Sequence, residues 1–285
     1  IFMQGGPVRQ INLVNRLQGV SKIPLLVGMD AEWSLSMRLD SVVLYPRQML
    51  VGAISDNKLT FDMGTEYARQ LKRVGANVNF APVVDINCNP KNPVINDRSF
   101  GENREKVVEK ALAYANGMQD NDVLAVIKHY PGHGDTDSDS HNTMPEISHS
   151  RERLDSVELY PFKKIDDKGI GGIMVSHLYV PALDSTPGLP ASLSPKAIKE
   201  VLRKEIGYNG MVFTDAMNMG GIVKYFSGNE ADVRAILAGN DMIMFPTDVN
   251  AVIEKIKLAI KEGTITETEI DEACRRVLLT KARLN

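Results

Sequence analysis

Residues 123–141 read VLAVIKHYPGHGDTDSDSH: five apolar residues, then Lys128 and His129, then a polar loop. From Lys128 to His141 the chain packs three of its five histidines, three aspartates and two glycines into fourteen residues. An apolar run without alternation is a strand buried on both faces, the kind found in parallel sheets. Here titratable groups sit just beyond its C-terminal end. The same layout recurs: Asp30 follows PLLVGM, Asp85 follows FAPVV, His177 closes IMVS and Asp215 closes MVFT. In an eight-stranded α/β barrel the active site is assembled at that face.

Seven strand-like runs are visible, IFMQ, IPLLVGM, NVNFAPVV, VLAVIKH, GGIMVSHL, GMVFTD and DMIMF. Between most of them lie stretches of helical period at 66–75, 103–119, 151–169, 194–207 and 230–240, several ending in glycine as helix C-termini do. Parallel βαβ units follow, and their number favours a closed (β/α)8 barrel over an open sheet. The eighth strand is expected upstream of Ile1, and residues 250–263 and 266–284 are expected as terminal helices. No linker or internal repeat divides the chain, so residues 1–285 are expected to form one catalytic barrel.

Composition narrows the function. The chain has 285 residues, 43% of them hydrophobic, and a formal charge of −3 with both signs interspersed. That is enough for a sizeable core, and there is no basic stripe to hold phosphodiesters, so nucleic acid is not the expected partner. No run reaches the 18 or so apolar residues of a membrane helix. Cys88 and Cys274 are too few for a disulfide framework and leave the redox compartment open.

The polar loop has three readings. Acids at the first, third, fifth and twelfth positions of Asp135–Glu146 partly match a calcium loop, but Ser140 stands where glycine is needed and Pro145 interrupts. His129, His133 and His141 are chemically plausible transition-metal ligands without a standard spacing. A solvated loop capping a barrel is the bland alternative. The catalytic reading pairs Asp139 with His141: a carboxylate two residues from an imidazole can fix its tautomer and raise its basicity. Its partner across a substrate would be Asp215, at the end of a buried strand, where a nucleophilic carboxylate would sit. A helix N-cap is the alternative for Asp215.

KHYPGHGDTDSDSH together with GMVFTDAM, NDRSFGEN and IPLLVGMDAE resembles the N-terminal barrel domain of glycoside hydrolase family 3, in particular the bacterial β-N-acetylglucosaminidases that use a histidine acid/base. The resemblance covers nearly the whole chain. It implies that Asp215 is the nucleophile and that Asp139 and His141 form the acid/base dyad. It places Asp30, Arg38, Arg98, Lys128 and His129 on the sugar. The implied reaction is retaining hydrolysis of a terminal β-linked N-acetylglucosamine, with no cofactor and no metal. The implied partner is an amino-sugar oligosaccharide or a peptidoglycan fragment. His133 and Asp135 are expected to scaffold the loop, His149 to lie at the surface, and His177 either to touch substrate or to satisfy a buried carbonyl.

One departure concerns the second strand. Family members commonly read D-Q-E-G-G where this chain has DAEWSL, so two glycines become Trp33 and Ser34. Trp33 could be a platform for a sugar face or a packed core residue. A metal-dependent barrel hydrolase and a sugar-binding barrel without turnover remain the competing readings. The abrupt start at IFMQGG leaves room for an upstream leader, so the compartment stays open between bacterial cytoplasm and periplasm or cell envelope. A further domain C-terminal to Asn285 is a possible partner.

Overall fold

Six of the apolar runs become parallel strands in the structure, a computed structural model that describes residues 1, 3–140, 143–166 and 169–284. These are β1 (Gly28–Met29), β2 (Val78–Asn79), β3 (Leu124–Tyr130), β4 (Gly172–Val175), β5 (Met211–Ala216) and β6 (Met242–Met244). They pair in chain order, each neighbour parallel to the next. The sheet is rolled rather than flat. Phe80, just past β2, meets Phe213 of β5 edge-to-face at 5.7 Å, whereas three strand spacings in a flat sheet would hold them about 14 Å apart.

The period-two pattern of the strands separates two apolar layers. Leu124, Val126, Met211 and Phe213 point inward, where they join Val78, Phe80, Met174 and Met244. Ala125, Ile127 and Val212 point outward into the larger core beneath the helices.

The helices are α1 (Pro7–Val20), α2 (Gln48–Gly52), α3 (Asn57–Arg73), α4 (Arg104–Gln119), α5 (Arg151–Ser156), α6 (Tyr160–Asp166), α7 (Gly220–Val223), α8 (Gly228–Ala238), α9 (Val249–Lys261) and α10 (Glu267–Arg283), with a π-wound helix at Lys196–Glu205. Val277 of α10 and the following Leu284 pack against the inner layer. α3 and α4 approach backbone to backbone: a Cβ on Gly117 would lie 2.1 Å from the Phe61 carbonyl oxygen, and one on Gly64 would lie 2.3 Å from that of Tyr114. None of the described helices is long and apolar enough to cross a membrane.

Three expectations need correction. Ile1–Gln4 does not form a strand among its described residues; Gly5 makes only a lone bridge to Leu39, and Pro7 opens α1, a helix the apolar pattern did not reveal. The IPLLVGM run pairs over Gly28–Met29 alone, because Pro24 has no N–H and those of Leu25 and Val27 go to the side-chain oxygens of Gln18 and Asn77. The single helix expected over 151–169 is two, α5 and α6. Pro161 stands at the start of α6, and between the two helices the Glu158 side chain turns into the interior.

The ladder is irregular at two places. Between β3 and β4 the register shifts after Ile127, and between β5 and β6 it shifts after Phe213. Both shifts lie near the C-terminal ends and take in Lys128, His129 and Asp215, after which pairing resumes at Tyr130 with Val175 and at Ala216 with Met244.

Candidate active site

The strand ends bring two carboxylates and three cations into one mesh. Asp30, just past β1, accepts from Arg38 Nη2 at 2.6 Å and from Lys128 Nζ at 2.9 Å. Glu32, two residues on, is fully buried and accepts both arms of Arg98, Nε at 2.9 Å and Nη2 at 2.8 Å. Lys128, itself 3% exposed, also reaches Glu32 at 2.8 Å and so bridges the two acids. Burial alone would push these carboxyls up, but Lys128 and Arg38 hold Asp30, and Arg98 and Lys128 hold Glu32, below the usual carboxylate range. Arg38 keeps this contact although Trp33 and Ser34 replace the family's glycines. Ser34 takes φ +82°, a conformation that favours glycine.

A third carboxylate fixes a histidine. Asp85, after β2, lies 2.6 Å from His129 Nδ1 and accepts the His133 N–H at 2.6 Å. An ionised carboxylate only accepts, so His129 carries its proton on Nδ1 and, when neutral, turns the Nε2 lone pair toward Arg98 Nη2 at 3.3 Å. His133 serves the loop: its ring nitrogens meet Thr136 Oγ1 at 2.7 Å and Ser140 Oγ at 3.0 Å.

Burial, with His129 nearby, pushes the pKa of His133 down to about 4. An unfolded histidine binds a proton near pH 6.5, so between pH 6.5 and 4 the unfolded chain holds a proton that the folded chain does not. The contribution of His133 is therefore complete above pH 6.5 and is lost as pH falls toward 4, by on the order of 3 kcal/mol. Urea unfolding at both pH values should show His133→Asn losing less stability on acidification than the parent. Equal losses would mean that His133 does not titrate this way.

Asp215 stands near the end of β5, with Oδ1 accepting from Ala216 N–H at 2.8 Å. Burial raises its carboxyl, but His177, His129, the Ala216 N–H and Lys128 together hold it below its ordinary value. Among the described residues no lysine or arginine pairs with it. His177 bonds Ser192 Oγ at 2.8 Å and the Ala216 carbonyl at 3.0 Å, which is the carbonyl-satisfying role.

Asp85 and His177 stand behind the wall, and the other groups open onto one cavity of about 530 Å³, within the size range of small-molecule sites. Asp30, Glu32, Arg38, Arg98, Lys128, His129 and Asp215 line its polar wall; Met37, Met174, Met219 and Met244 contribute apolar surface. Trp33 is on the wall, with the Arg47 guanidinium 4.2 Å from its ring centroid. Ser140 reaches the cavity too. Asp139 precedes it and its carbonyl accepts from Thr143 N–H at 3.0 Å. His141 lies outside the described residues.

The sequence reading did not assign Glu32 and Asp85 to the site. The available signals were the glutamate shared with the family's D-Q-E-G-G pattern and an aspartate closing a strand run. His149 is partly exposed and pairs with Asp135 at 2.8 Å.

The chain belongs to glycosyl hydrolase family 3: the family's N-terminal domain model matches residues 4–280. It is 31% identical over 303 residues to Beta-hexosaminidase A of Pseudoalteromonas piscicida, across 96% of this chain and 51% of that protein. A glycoside hydrolase family 3 β-N-acetylglucosaminidase from Paenibacillus sp. str. FPU-7 superposes with a TM-score of 0.93 at 36% identity, over 99% of this chain and 56% of that one. A β-glucoside phosphorylase, BglX, superposes with a TM-score of 0.94 at 28% identity, over 99% of this chain and 53% of that one. The chain thus spans about half the length of each of these three.

Proposed function

We propose that residues 1–285 form a single catalytic barrel of a retaining β-N-acetylhexosaminidase, which releases a terminal β-linked N-acetylglucosamine from an amino-sugar oligosaccharide or a peptidoglycan fragment. The observation that carries this reading is the asymmetry of the cavity's acids. Asp30 and Glu32 are neutralised by cations and suited to hold hydroxyls, with Arg38, Arg98 and Lys128 as the complementary donors. Asp215 is ionised and held by a backbone N–H.

In this mechanism Asp215 attacks the anomeric carbon while protonated His141, oriented by Asp139, delivers its proton to the departing oxygen. His141 then takes a proton from water, which displaces Asp215, and the second inversion restores the β-configuration. Lys128, Asp30 and the Arg98–His129 pair position the ring.

Chromogenic β-glycosides test the substrate class: N-acetylglucosaminide should be turned over well ahead of glucoside and xyloside, and equal rates would remove the N-acetyl preference. The likeness to a phosphorylase favours one further property. A histidine base is neutral when it acts, so it lacks the repulsion of roughly 1 kcal/mol or more that a carboxylate would exert on phosphate at contact. Product analysis in phosphate buffer should reveal N-acetylglucosamine 1-phosphate beside the free sugar. Hydrolysis at tens of millimolar phosphate with no sugar phosphate would rule this out.

A further inference from the structure

A second cluster of donors lies against the same loop. Cys88 is in the segment after β2, Asp135 in the loop after β3, His149 just ahead of α5, and Glu158 between α5 and α6. None of the four lines the cavity. The Cys88 sulfur and one carboxylate oxygen each from Asp135 and Glu158 lie within 4.8 Å of one another; His149 stands outside that group and supports it, with Nε2 2.8 Å from Asp135 Oδ2.

At the centre sits a single nitrogen. Arg153 Nη2 is 3.5 Å from Cys88 Sγ, 3.3 Å from Asp135 Oδ2 and 3.0 Å from Glu158 Oε1. The arrangement draws a cation, but arginine serves it incompletely. Glu158 is 4% exposed, and its Oε2 has no hydrogen-bond partner, nor does Arg153 Nε. A buried carboxylate oxygen without a partner is a costly state that an ion could relieve.

We propose that Cys88, Asp135 and Glu158 bind a borderline-soft divalent transition metal, zinc above all, with the Arg153 side chain displaced toward solvent and His149 holding Asp135 in place through its hydrogen bond. One sulfur and two carboxylate oxygens supply three of the four ligands of tetrahedral zinc, with water as the fourth. Calcium and magnesium fit poorly, since both want more oxygen ligands. Burial and the two carboxylates push the Cys88 thiol up to about 11, so it is not a reactive thiolate in its own right. On coordination its proton passes to solvent, and binding strengthens as pH rises.

Such an ion would grip the polar loop from behind. A Cβ on Gly132 would lie 2.8 Å from Glu158 Cβ, and one on Gly134 would lie 1.8 Å from the Ile86 carbonyl oxygen. The loop backbone therefore already touches the Glu158 segment and the strand exit that leads to Cys88. Zinc would tie these three pieces together four residues ahead of Asp139. The site does not depend on the glycosidase reading.

The test is titration of the full chain with cobalt(II), then with zinc as competitor. Expected are intense visible bands of a tetrahedral ion and a thiolate-to-cobalt charge-transfer band in the near ultraviolet, all displaced by one equivalent of zinc. Cys88→Ser should abolish the charge-transfer band and weaken zinc binding roughly tenfold or more. It should leave metal-free turnover and melting temperature unchanged. Glu158→Gln should weaken zinc similarly, and Arg153→Gln, which removes the competing cation, should tighten it. No charge-transfer band, or equal zinc affinity in the parent and Cys88→Ser, overturns the proposal. If Glu158→Gln fails to fold, Cys88→Ser decides alone, since Cys88 is exposed.

Discussion

Asp215→Asn is expected to lower turnover of an aryl N-acetylglucosaminide by roughly 10³-fold or more while the protein stays folded, with a melting temperature only modestly below that of the parent. Asparagine has the shape of aspartate and can still accept the Ala216 N–H that holds Oδ1 at 2.8 Å. It has no negative oxygen to form a glycosyl ester. Stability should fall only modestly: the amide forgoes the attraction of His177, His129 and Lys128 that holds the carboxyl below its ordinary value, and it is also spared the cost of burying a charge. Kinetics and calorimetry on the same preparation check both halves. A well-folded variant that keeps more than a few per cent of parent activity would mean that another group attacks the sugar.

His141→Ala is expected to split substrates by their leaving groups. A sugar leaving group needs a proton as it departs, so oligosaccharide cleavage should slow by about 10²–10⁴-fold, the usual worth of a positioned general acid. An activated nitrophenolate leaves unaided, so formation of its glycosyl-enzyme should slow far less. Release then becomes limiting, for water has lost its base. Azide, a nucleophile that needs no deprotonation, should restore turnover of the aryl glycoside and yield the β-glycosyl azide. Equal slowing of both substrate classes with no azide rescue would remove His141 from the acid/base role. Asp139→Asn should fall between His141→Ala and the parent, as expected of a group that acts through the imidazole.

Much of the barrel was legible because buried parallel strands are short, apolar and followed by polar exits. Residues 123–129 show this: the alternation of Leu124 and Val126 inward against Ala125 and Ile127 outward is invisible in an all-apolar run, yet the run itself marks the strand. The start of the chain was misread for the same reason. Ile1–Gln4 is as apolar as a strand, and whether it pairs depends on neighbours far along the chain. The break between α5 and α6 was signalled by Pro161, but helical periodicity on both sides hid it.

In the candidate site, single residues at strand ends could be picked out and their pairings could not. Glu32 is bound by Arg98, 66 residues away, and Asp85 by His129, 44 residues away. No local pattern encodes such partners. The Cys88, Asp135, His149 and Glu158 cluster has no motif spacing at all, since it is gathered from three connections that only the folded barrel brings together.

The two register shifts bear on how readily this framework accepts new chemistry. Where a ladder shifts register, the residues at the shift drop out of the regular pairing with the next strand, so a change in their backbone angle is absorbed locally. At β3 and β5 the interruption holds Lys128, His129 and Asp215, and pairing resumes at Tyr130 and Ala216. Below those points the regular pairing of Val126 with Gly172 and of Ile173 with Val212 continues undisturbed. Working parts thus sit in the interruptions of the ladder and the foundation in its regular rows. An engineer reshaping the pocket should find the residues at the shifts open to exchange, with selection for stability falling on the rows beneath.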